Sequence, residues 1–426
     1  MLKKDFNKNL IDSITKSTSA YNTVSYLKDI LSGKNYIELS ETEKWKLTTG
    51  NYYVVRGDAS IIAFEIPKNY KKKFSIITTH CDTPALLLKP SGEYTKCGYL
   101  KYNIMPYGGL LNYGWLDHPL SLSGRIVYSE NGVLKRKIID LKETTLVVPS
   151  VAIHQNDSAN SKLDLNMQID LQPIIGLSVN SYSWLKYLHK KLNVNNIIDY
   201  DLFAYNNQKP QVFGIKKELL LSPRIDNITS VYSAVSGFLE AKPQNIKVFC
   251  SFNNEEIGSL TEEGADSNFL IDILKRICAS INVELTPALS KSIIVSSDNT
   301  HAVHPNHIEF ADDTGKLYLN KGVAIIKEIS STTNSISSSI IRTICEKNKI
   351  KYQYSTSKND LSAGSTLSGI SLRHLSVLSV DIGIPQLAMH SSCEVCSLND
   401  VYELYKLMKV FYETNINIYN NKIKIE

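Results

Sequence analysis

The chain has 426 residues, of which 43% are hydrophobic and 21% are charged. These proportions are typical of a folded protein with a large core, and the length predicts about two or three domains. The 47 Lys and Arg residues exceed the 42 Asp and Glu residues only slightly, giving a net charge of +5. Because no long basic tract occurs, we predict that the chain binds neither nucleic acid nor membranes.

Targeting signals and cysteine patterns are weak. The start of the chain lacks the apolar core of a signal peptide, and no run reaches the roughly 18 apolar residues of a membrane span. We therefore expect a cytoplasmic protein. Its seven cysteines are an odd number and scattered, so they do not predict a disulfide framework. Cys393 and Cys396 form a lone CxxC motif, interpreted as two thiols near a helix start, with a redox or structural-metal role as the alternative.

The first part of the chain alternates between helix and strand patterns. Apolar residues at helical spacing over 5–32 predict one or two opening helices. Strand-like runs follow at 51–56, 60–65 and 74–79, and the last run leads directly into His80. The sequence therefore places His80 at the end of a buried strand.

The pattern changes near residue 90 and again near 215. Between these points short strand-like runs are broken by glycine, and the only clear helical periodicity spans 181–192. We therefore predict a mostly β inserted domain over 90–215. Residues 1–89 and 216–426 would then form one discontinuous domain around it.

The remainder of the chain again alternates helices with strands. We predict a helix from 226 or 227 to before Pro243, strands at 246–252, 292–296 and 375–380, and helices near 267–281, near 333–348 and from about 399. Such alternation predicts an α/β domain whose mixed, largely parallel sheet is flanked by helices.

Acidic and imidazole side chains follow several of these strands. In α/β sheets ligands bind beyond the carboxyl ends of the strands. His80, Glu255, Glu256 and Asp298 each come just after a strand-like run, and His390 follows the last run by ten residues. The sequence thus indicates that these side chains share one edge of the sheet.

Each residue also has an ordinary interpretation. Asp226 could cap a helix, the Glu255-Glu256 pair could be a solvated acidic turn, and His390 could be a core histidine. However, adjacent buried carboxylates repel each other unless cations or protons lie between them. Two metal ions sharing one carboxylate would use the whole set.

Seven segments carry a resemblance to a known family. In order along the chain, they are 79–84, 107–109, 151–154, 222–227, 254–259, 301–306 and 385–391. On these segments the chain resembles the aspartyl aminopeptidases, which are cytosolic dinuclear zinc exopeptidases. The resemblance covers nearly the whole chain and implies a zinc-peptidase-like fold with an inserted dimerisation domain.

The resemblance implies a role for each candidate residue. One metal ion would be held by His80, Asp226 and Asp298, and the other by Asp226, Glu256 and His390, with Asp226 bridging. Glu255 would be the general base that activates a metal-bridging water as hydroxide. Asp82 would orient His80. We interpret His301 and His304 as residues that support the ligands or fix the backbone, with contact to substrate as the alternative. Zinc suits these ligands, although cobalt or manganese could also bind.

The resemblance also implies subunit and substrate contacts. His154 would reach the active site of a neighbouring subunit, and dimers would assemble into a dodecamer. Lys321 would pair with an acidic substrate side chain, and Gly364 and Ser365 would belong to a loop that shapes specificity. Some relatives carry Arg-Glu after the Met-His-Ser segment, which is 389–391 in this chain. Here the acid, Glu394, is retained and the arginine is absent.

We therefore expect a metal-dependent aminopeptidase that removes N-terminal residues, preferentially Asp or Glu, from peptides. Three alternatives stay open at this point. The chain could be an aminopeptidase of broader specificity, a deacylase of the same fold, or a non-enzymatic scaffold protein.

Overall fold

The computed structural model describes residues 1–178, 183–361, 369, 373–419 and 421–426. Within these residues the α-helices are α1 Lys3–Lys16, α2 Ala20–Ser32, α3 Trp184–Leu192, α4 Ile225–Glu240, α5 Phe269–Ser280, α6 Leu285–Leu289, α7 Ser335–Lys347 and α8 Leu398–Glu413.

The strands of the described residues are β1 Ile37–Glu38, β2 Gly50–Arg56, β3 Ser60–Ile66, β4 Lys71–His80, β5 Ala85–Lys96, β6 Tyr99–Tyr107, β7 Leu120–Glu130, β8 Val133–Asp140, β9 Ile174–Leu177, β10 Ile197–Asn206, β11 Gln211–Phe213, β12 Leu219–Ser222, β13 Asn245–Phe252, β14 Ile293–Ser297, β15 Thr300–His301, β16 Val323–Ile326, β17 Tyr352–Ser355, β18 Leu378–Gly383, β19 Pro385–Leu387, β20 Glu394–Ser397, β21 Ile416–Ile418 and β22 Ile423–Ile425.

The largest sheet has the strand order β1-β2-β3-β13-β4-β14-β18-β16-β17. Its central strands β13, β4, β14 and β18 are mutually parallel, and antiparallel pairs lie towards both edges. Successive side chains of β4 enter different cores: Ile77 packs with the helices α1, α2, α4, α7 and α8, and Ile76 packs with α5 and α6. Because both faces are covered, these strands are nearly continuous apolar runs. The predicted helix-flanked α/β sheet is confirmed.

A second sheet is built from the segment that contains residues 85–206. It is antiparallel, with the order β8-β7-β10-β5-β6-β9, and it encloses a separate cluster of buried apolar side chains. Helix α3 covers the predicted helical segment from Trp184 onwards. The strands of this sheet lie between Ala85 and Asn206, and the inserted domain over 90–215 stays a prediction.

A third sheet was not predicted from the sequence. Its order is β11-β12-β20-β19-β15, and its strands are only two to four residues long. It pairs β12, which precedes α4, with β20, which lies more than 170 residues later, through the register Ser222 to Glu394. The sheet therefore brings the start of α4 next to the loop that contains His390.

Among the helices of the described residues, none combines the length and the apolar character needed to cross a membrane.

Arg125 on β7 connects the second sheet with the rest of the chain. Its guanidinium donates to Asp201 Oδ2 at 2.8 and 3.2 Å and to the Gly57 carbonyl oxygen at 2.7 Å. It also stacks on the ring of Tyr21 in α2, 4.7 Å from the ring centroid. One side chain therefore contacts β10, the turn between β2 and β3, and an N-terminal helix.

We expect Arg125→Met to lower the free energy of unfolding by about 2 kcal/mol, because it removes charge-assisted hydrogen bonds at a largely buried position. The measurement is denaturant unfolding followed by circular dichroism. Arg136→Met is the matched control: Arg136 pairs with Asp58 at 2.9 Å, but its side chain is 60% exposed. That control should change stability by less than about 0.5 kcal/mol. Equal effects of the two substitutions would contradict the role assigned to Arg125.

Candidate metal centre and active site

Three parallel strands end at the same edge of the largest sheet and deliver acidic and imidazole groups there. His80 is the last residue of β4, and Asp298 directly follows β14. His80 Nε2 lies 3.2 Å from Asp298 Oδ1. Gly383 on the neighbouring β18 allows this packing, because a Cβ atom there would lie 1.7 Å from the Asp298 carbonyl oxygen.

Glu255 and Glu256 enter the site through a sharp turn after β13. Asn254 has a left-handed φ of 62°, residues Glu255–Ile257 form a 3-10 turn, and Gly258 has a φ of 93°. An extended chain would point adjacent side chains in opposite directions, whereas this turn lets both carboxylates approach the site. Gly108 also leaves room, since a Cβ atom there would lie 3.1 Å from Glu256 Cβ.

Asp226 lies between the two imidazoles. It is the second residue of α4, but its backbone and that of Asn227 depart from helical geometry. Asp226 Oδ1 is 3.5 Å from His80 Nε2, and Asp226 Oδ2 is 3.5 Å from His390 Nε2. Each oxygen of one carboxylate thus faces a different histidine, which is the arrangement that a bridging ligand requires.

Both histidines are held with Nε2 directed at the carboxylates. His80 Nδ1 donates to the Asp82 carbonyl oxygen at 3.1 Å, and His390 Nδ1 donates to the Gly109 carbonyl oxygen at 2.8 Å. A carbonyl oxygen only accepts, so Nδ1 carries the proton in each ring. In the neutral ring Nε2 then carries the lone pair, so Nε2 is the nitrogen that would bind a metal ion, as in histidine ligands oriented by a carbonyl partner.

The candidate ligands form compact groups within the described residues. His80, Asp226 and Asp298 form one group, and Asp226, Glu256 and His390 form another, each with ligand atoms within 4.8 Å of one another. A third group joins His80 with Glu255 and Glu256. The first two groups share Asp226 and match the two sets implied by the family resemblance.

Carboxylates outnumber imidazoles in this site, and their pKa values reflect the excess of negative charge. Burial, followed by the Asp226 charge, raises the pKa of Glu256 well above its usual value. Burial, together with Asp298 and Asp82, raises the pKa of Glu255 to about 8 against the opposing charge of His80. Burial alone would lower the pKa of His390, but Asp226 and Glu256 outweigh it and raise that pKa to about 10. Without other cations, the site must retain protons to offset its carboxylates.

The donor atoms fit a zinc site. Asp226 Oδ1 and Glu256 Oε1 are buried, and neither has a hydrogen-bond partner among the described residues. A buried carboxylate oxygen without a partner is costly, and a metal ion would satisfy both oxygens. Imidazole nitrogens combined with carboxylate oxygens form a ligand set that zinc accepts.

Asp82 connects the end of β4 with the 3-10 turn Glu255–Ile257, called the glutamate turn below. Its Oδ2 accepts hydrogen bonds from the Tyr107 hydroxyl at 2.7 Å and from the Glu256 backbone N–H at 3.1 Å, while Oδ1 lies 3.4 Å from His80 Nδ1. Sequence reasoning anticipated the position of Asp82 beside His80. It assigned no role to Tyr107, although Tyr107 belongs to a segment that carries the family resemblance.

A cleft of about 880 Å³ opens above these groups, and its lining includes Asp226, Glu255, Glu256, His301 and His304. The other predicted site residues lie elsewhere. His154 is exposed in a short turn, Ile153–Gln155, and does not line the cleft of its own chain. Lys321 is likewise exposed and outside the lining. Gly364 and Ser365 lie outside the described residues.

Glu394 is a buried residue to which the sequence analysis assigned no function. Its side chain accepts hydrogen bonds from the backbone N–H groups of Asp226 and His390, both at 3.0 Å. The only signal in the sequence was that this acid is retained after the Met-His-Ser segment while the neighbouring arginine is absent. Cys393 and Cys396, which flank Glu394, are free thiols and belong to no candidate metal group among the described residues.

Comparisons with known proteins show the family of the chain. The family model described as aminopeptidase I zinc metalloprotease (M18) matches residues 13–412. A probable M18 family aminopeptidase 2 of Clostridium novyi (strain NT) is 38% identical over 428 residues, covering 96% of this chain and 99% of that protein.

Solved structures also resemble the chain. A chain of the Ape4 and Nbr1 complex has a TM-score of 0.92 at 30% identity, covering 96% of this chain and 86% of that chain. The mApe1 dodecamer of S. cerevisiae has a TM-score of 0.84 at 25% identity, covering 95% of this chain and 96% of that chain. Because the family model and a 38% identical relative both span nearly the whole sequence, the chain belongs to the M18 family of zinc metallopeptidases, which includes the aspartyl aminopeptidases, and is a metallo-aminopeptidase.

Proposed function

We propose that the chain removes single N-terminal residues from peptides with a site for two divalent metal ions, and that Glu255 is its general base. The observation that carries this proposal is the position of Asp226, whose two oxygens each lie 3.5 Å from a different imidazole Nε2. His80, Asp226 and Asp298 would hold one ion, and Asp226, Glu256 and His390 the other. Zinc is the expected metal, with cobalt and manganese as alternatives.

The ions would supply Lewis acidity that polarises the scissile carbonyl and acidifies a water molecule. The other steps belong to this chain's side chains. Glu255 would accept a proton from the attacking water and later donate it to the leaving amine. Asp82 and the glutamate turn would hold Glu255 and Glu256 in place, because the Glu256 N–H is fixed on Asp82. The acidic surroundings favour the protonated α-amino group of a substrate, which restricts cleavage to the first residue.

Glu255→Gln should lower kcat for aminoacyl naphthylamides by at least about 100-fold, because an amide cannot accept the proton. The metal content of the purified variant, measured by elemental analysis, should equal that of the wild type. Glu262→Gln alters an exposed glutamate a few residues away and should leave kcat unchanged. Full activity of Glu255→Gln would refute the general base, and loss of metal would make Glu255 a ligand instead.

We also propose that the protein is cytoplasmic and that copies of the chain associate with one another. Large apolar side chains of the segment that carries His154 are 40 to 69% exposed, namely Val151, Ile153, Leu163, Met167 and Ile169. Large apolar side chains left exposed within one segment are typical of a protein interface. We propose that this segment contacts a second copy of the chain and brings His154 to that copy's cleft, where it would stabilise the oxyanion. The relative mApe1 forms a dodecamer, and we propose the same assembly here.

Co-expression of two inactive variants tests whether His154 acts across subunits. His154→Ala and Glu255→Gln should each be nearly inactive, but mixed oligomers should recover activity, because a subunit with intact Glu255 receives His154 from its neighbour. The measurement is the specific activity of doubly tagged complexes. Mixing the two variants after separate purification, without subunit exchange, is the control. Activity no greater than the sum of the two variants would show that His154 does not act in trans.

The preference for acidic N-terminal residues requires a cation in the cleft. Lys321 is a poor candidate, since the turn that carries it is anchored on α8: the N–H groups of Asn320 and Gly322 donate to Asp400 at 2.6 and 2.7 Å. Lys316 and Lys358 do line the cleft, and Lys358 pairs with Asp360 at 3.0 Å. Lys316 has no ion-pair partner among the described residues. We therefore propose that Lys316 supports any acidic preference, with broader specificity as the alternative.

Lys316→Met should lower kcat/KM for Asp-naphthylamide relative to Leu-naphthylamide by about 10-fold, because it removes a charge-assisted contact with the substrate carboxylate. Lys321→Met is the matched control and should leave the ratio unchanged. The ratio is measured at fixed ionic strength for all three proteins. An unchanged ratio in Lys316→Met, or a wild type that prefers Leu, would favour broader specificity.

A further inference from the structure

A buried carboxylate outside the cleft connects the candidate metal ligands that come from different parts of the chain. Glu394 is 2% exposed and borders a separate cavity of about 10 Å³ rather than the cleft. Its Oε2 accepts the N–H of Asp226 at 3.0 Å, and its Oε1 accepts the N–H of His390 at 3.0 Å. One side chain therefore fixes the backbones of two residues that are 164 positions apart in the sequence.

The same carboxylate orients two buried side-chain amides that are hydrogen-bonded in series, those of Gln386 and Asn299. Gln386 Nε2 donates to Glu394 Oε1 at 3.1 Å, and Gln386 Oε1 accepts from Asn299 Nδ2 at 2.8 Å. Because a carboxylate only accepts, Glu394 fixes which end of the Gln386 amide faces it. Asn299 Nδ2 also donates to the Ile225 carbonyl oxygen at 2.9 Å, and the Asn299 N–H donates to Asp298 Oδ1 at 2.8 Å. The network thus reaches a third candidate ligand.

The contacts of Glu394 need a carboxylate at this position. Three N–H donors converge on its two oxygens: those of Asp226 and Gln386 are buried, and that of His390 is partly buried. A glutamine in its place would direct an NH₂ group at one or two of these donors, leaving a buried N–H without an acceptor. Depending on which oxygen the NH₂ group replaces, the backbone N–H of either Asp226 or His390 would lose its acceptor.

We propose that Glu394 is a positioning residue for metal binding, which sets the backbones of Asp226 and His390 and, through Gln386 and Asn299, supports Asp298. The inference rests on the proposed metal ligands. Glu394 acts only through these groups and does not line the cleft, so its loss should weaken metal binding without removing a ligand or the base. The ion held by Asp226, Glu256 and His390 should be affected most, since Glu394 contacts two of its ligands directly but only one ligand of the other ion.

The test measures zinc affinity by chelator competition for the wild type, Glu394→Gln and His390→Ala. His390→Ala removes a proposed ligand directly. The step of zinc binding that this substitution weakens is therefore the binding of the ion held by Asp226, Glu256 and His390. Glu394→Gln should weaken that same step by about 10- to 100-fold, the usual effect of removing a partner of a metal ligand. Activity of Glu394→Gln should return as zinc is raised to saturation, whereas that of Glu255→Gln should not.

Asp400→Asn is the matched control, because Asp400 is another buried carboxylate that accepts two backbone N–H groups, at 2.6 and 2.7 Å. Its substitution should leave zinc affinity unchanged even where it lowers stability. If Glu394→Gln does not fold, Gln386→Met breaks the network one step further out and should weaken the same binding step to a smaller extent.

The outcomes separate the two hypotheses. A wild type that binds no metal, or a His390→Ala variant with unchanged zinc affinity, would refute the proposed ligands themselves. Weaker zinc binding in His390→Ala but not in Glu394→Gln or Gln386→Met would leave the ligands intact and overturn the positioning role. A loss of zinc affinity in Asp400→Asn equal to that in Glu394→Gln would also overturn it, because general destabilisation would then explain both.

Discussion

The repulsion between buried carboxylates is the constraint on which the site depends. Asp226, Glu255, Glu256 and Asp298 lie close together with two imidazoles, and several of their pKa values are displaced because burial and neighbouring charges act together. Such a group is unfavourable unless cations offset it. Apolar side chains of similar volume would be easier to bury, so the arrangement has a physical rationale in metal binding. Membership of a zinc metallopeptidase family agrees with that rationale.

The fold holds these charges together from two sides. On one side Asp82 accepts the Glu256 N–H and lies beside His80. On the other side Glu394 accepts the N–H groups of Asp226 and His390. Neither carboxylate belongs to the proposed ligand set. In both places a buried acid binds the backbone of a candidate ligand, so the positions of the ligands do not rest on their side-chain torsions alone.

The second sheet also contributes to the site. Gly108 and Gly109, which follow β6, lie against Glu256 and His390, so the sheet supplies part of the wall of the site. Arg125 ties the same sheet to α2 and to the turn between β2 and β3. His154 is on a segment of this region that leaves apolar side chains exposed, which is why we place its partner in another copy of the chain.

The sequence by itself determined the helix-flanked, largely parallel sheet and the strand-end positions of His80, Glu255, Glu256 and Asp298. It could do so because strands buried on both faces are continuous apolar runs whose ends are visible along the chain. Only the tertiary structure decided the pairing of β12 with β20, since strands of two to four residues carry no readable periodicity and their partners are far apart in the sequence. For the same reason the contacts of Glu394 were invisible. The surface position of Lys321 likewise depends on Asp400, a residue 79 positions away that holds its turn on α8.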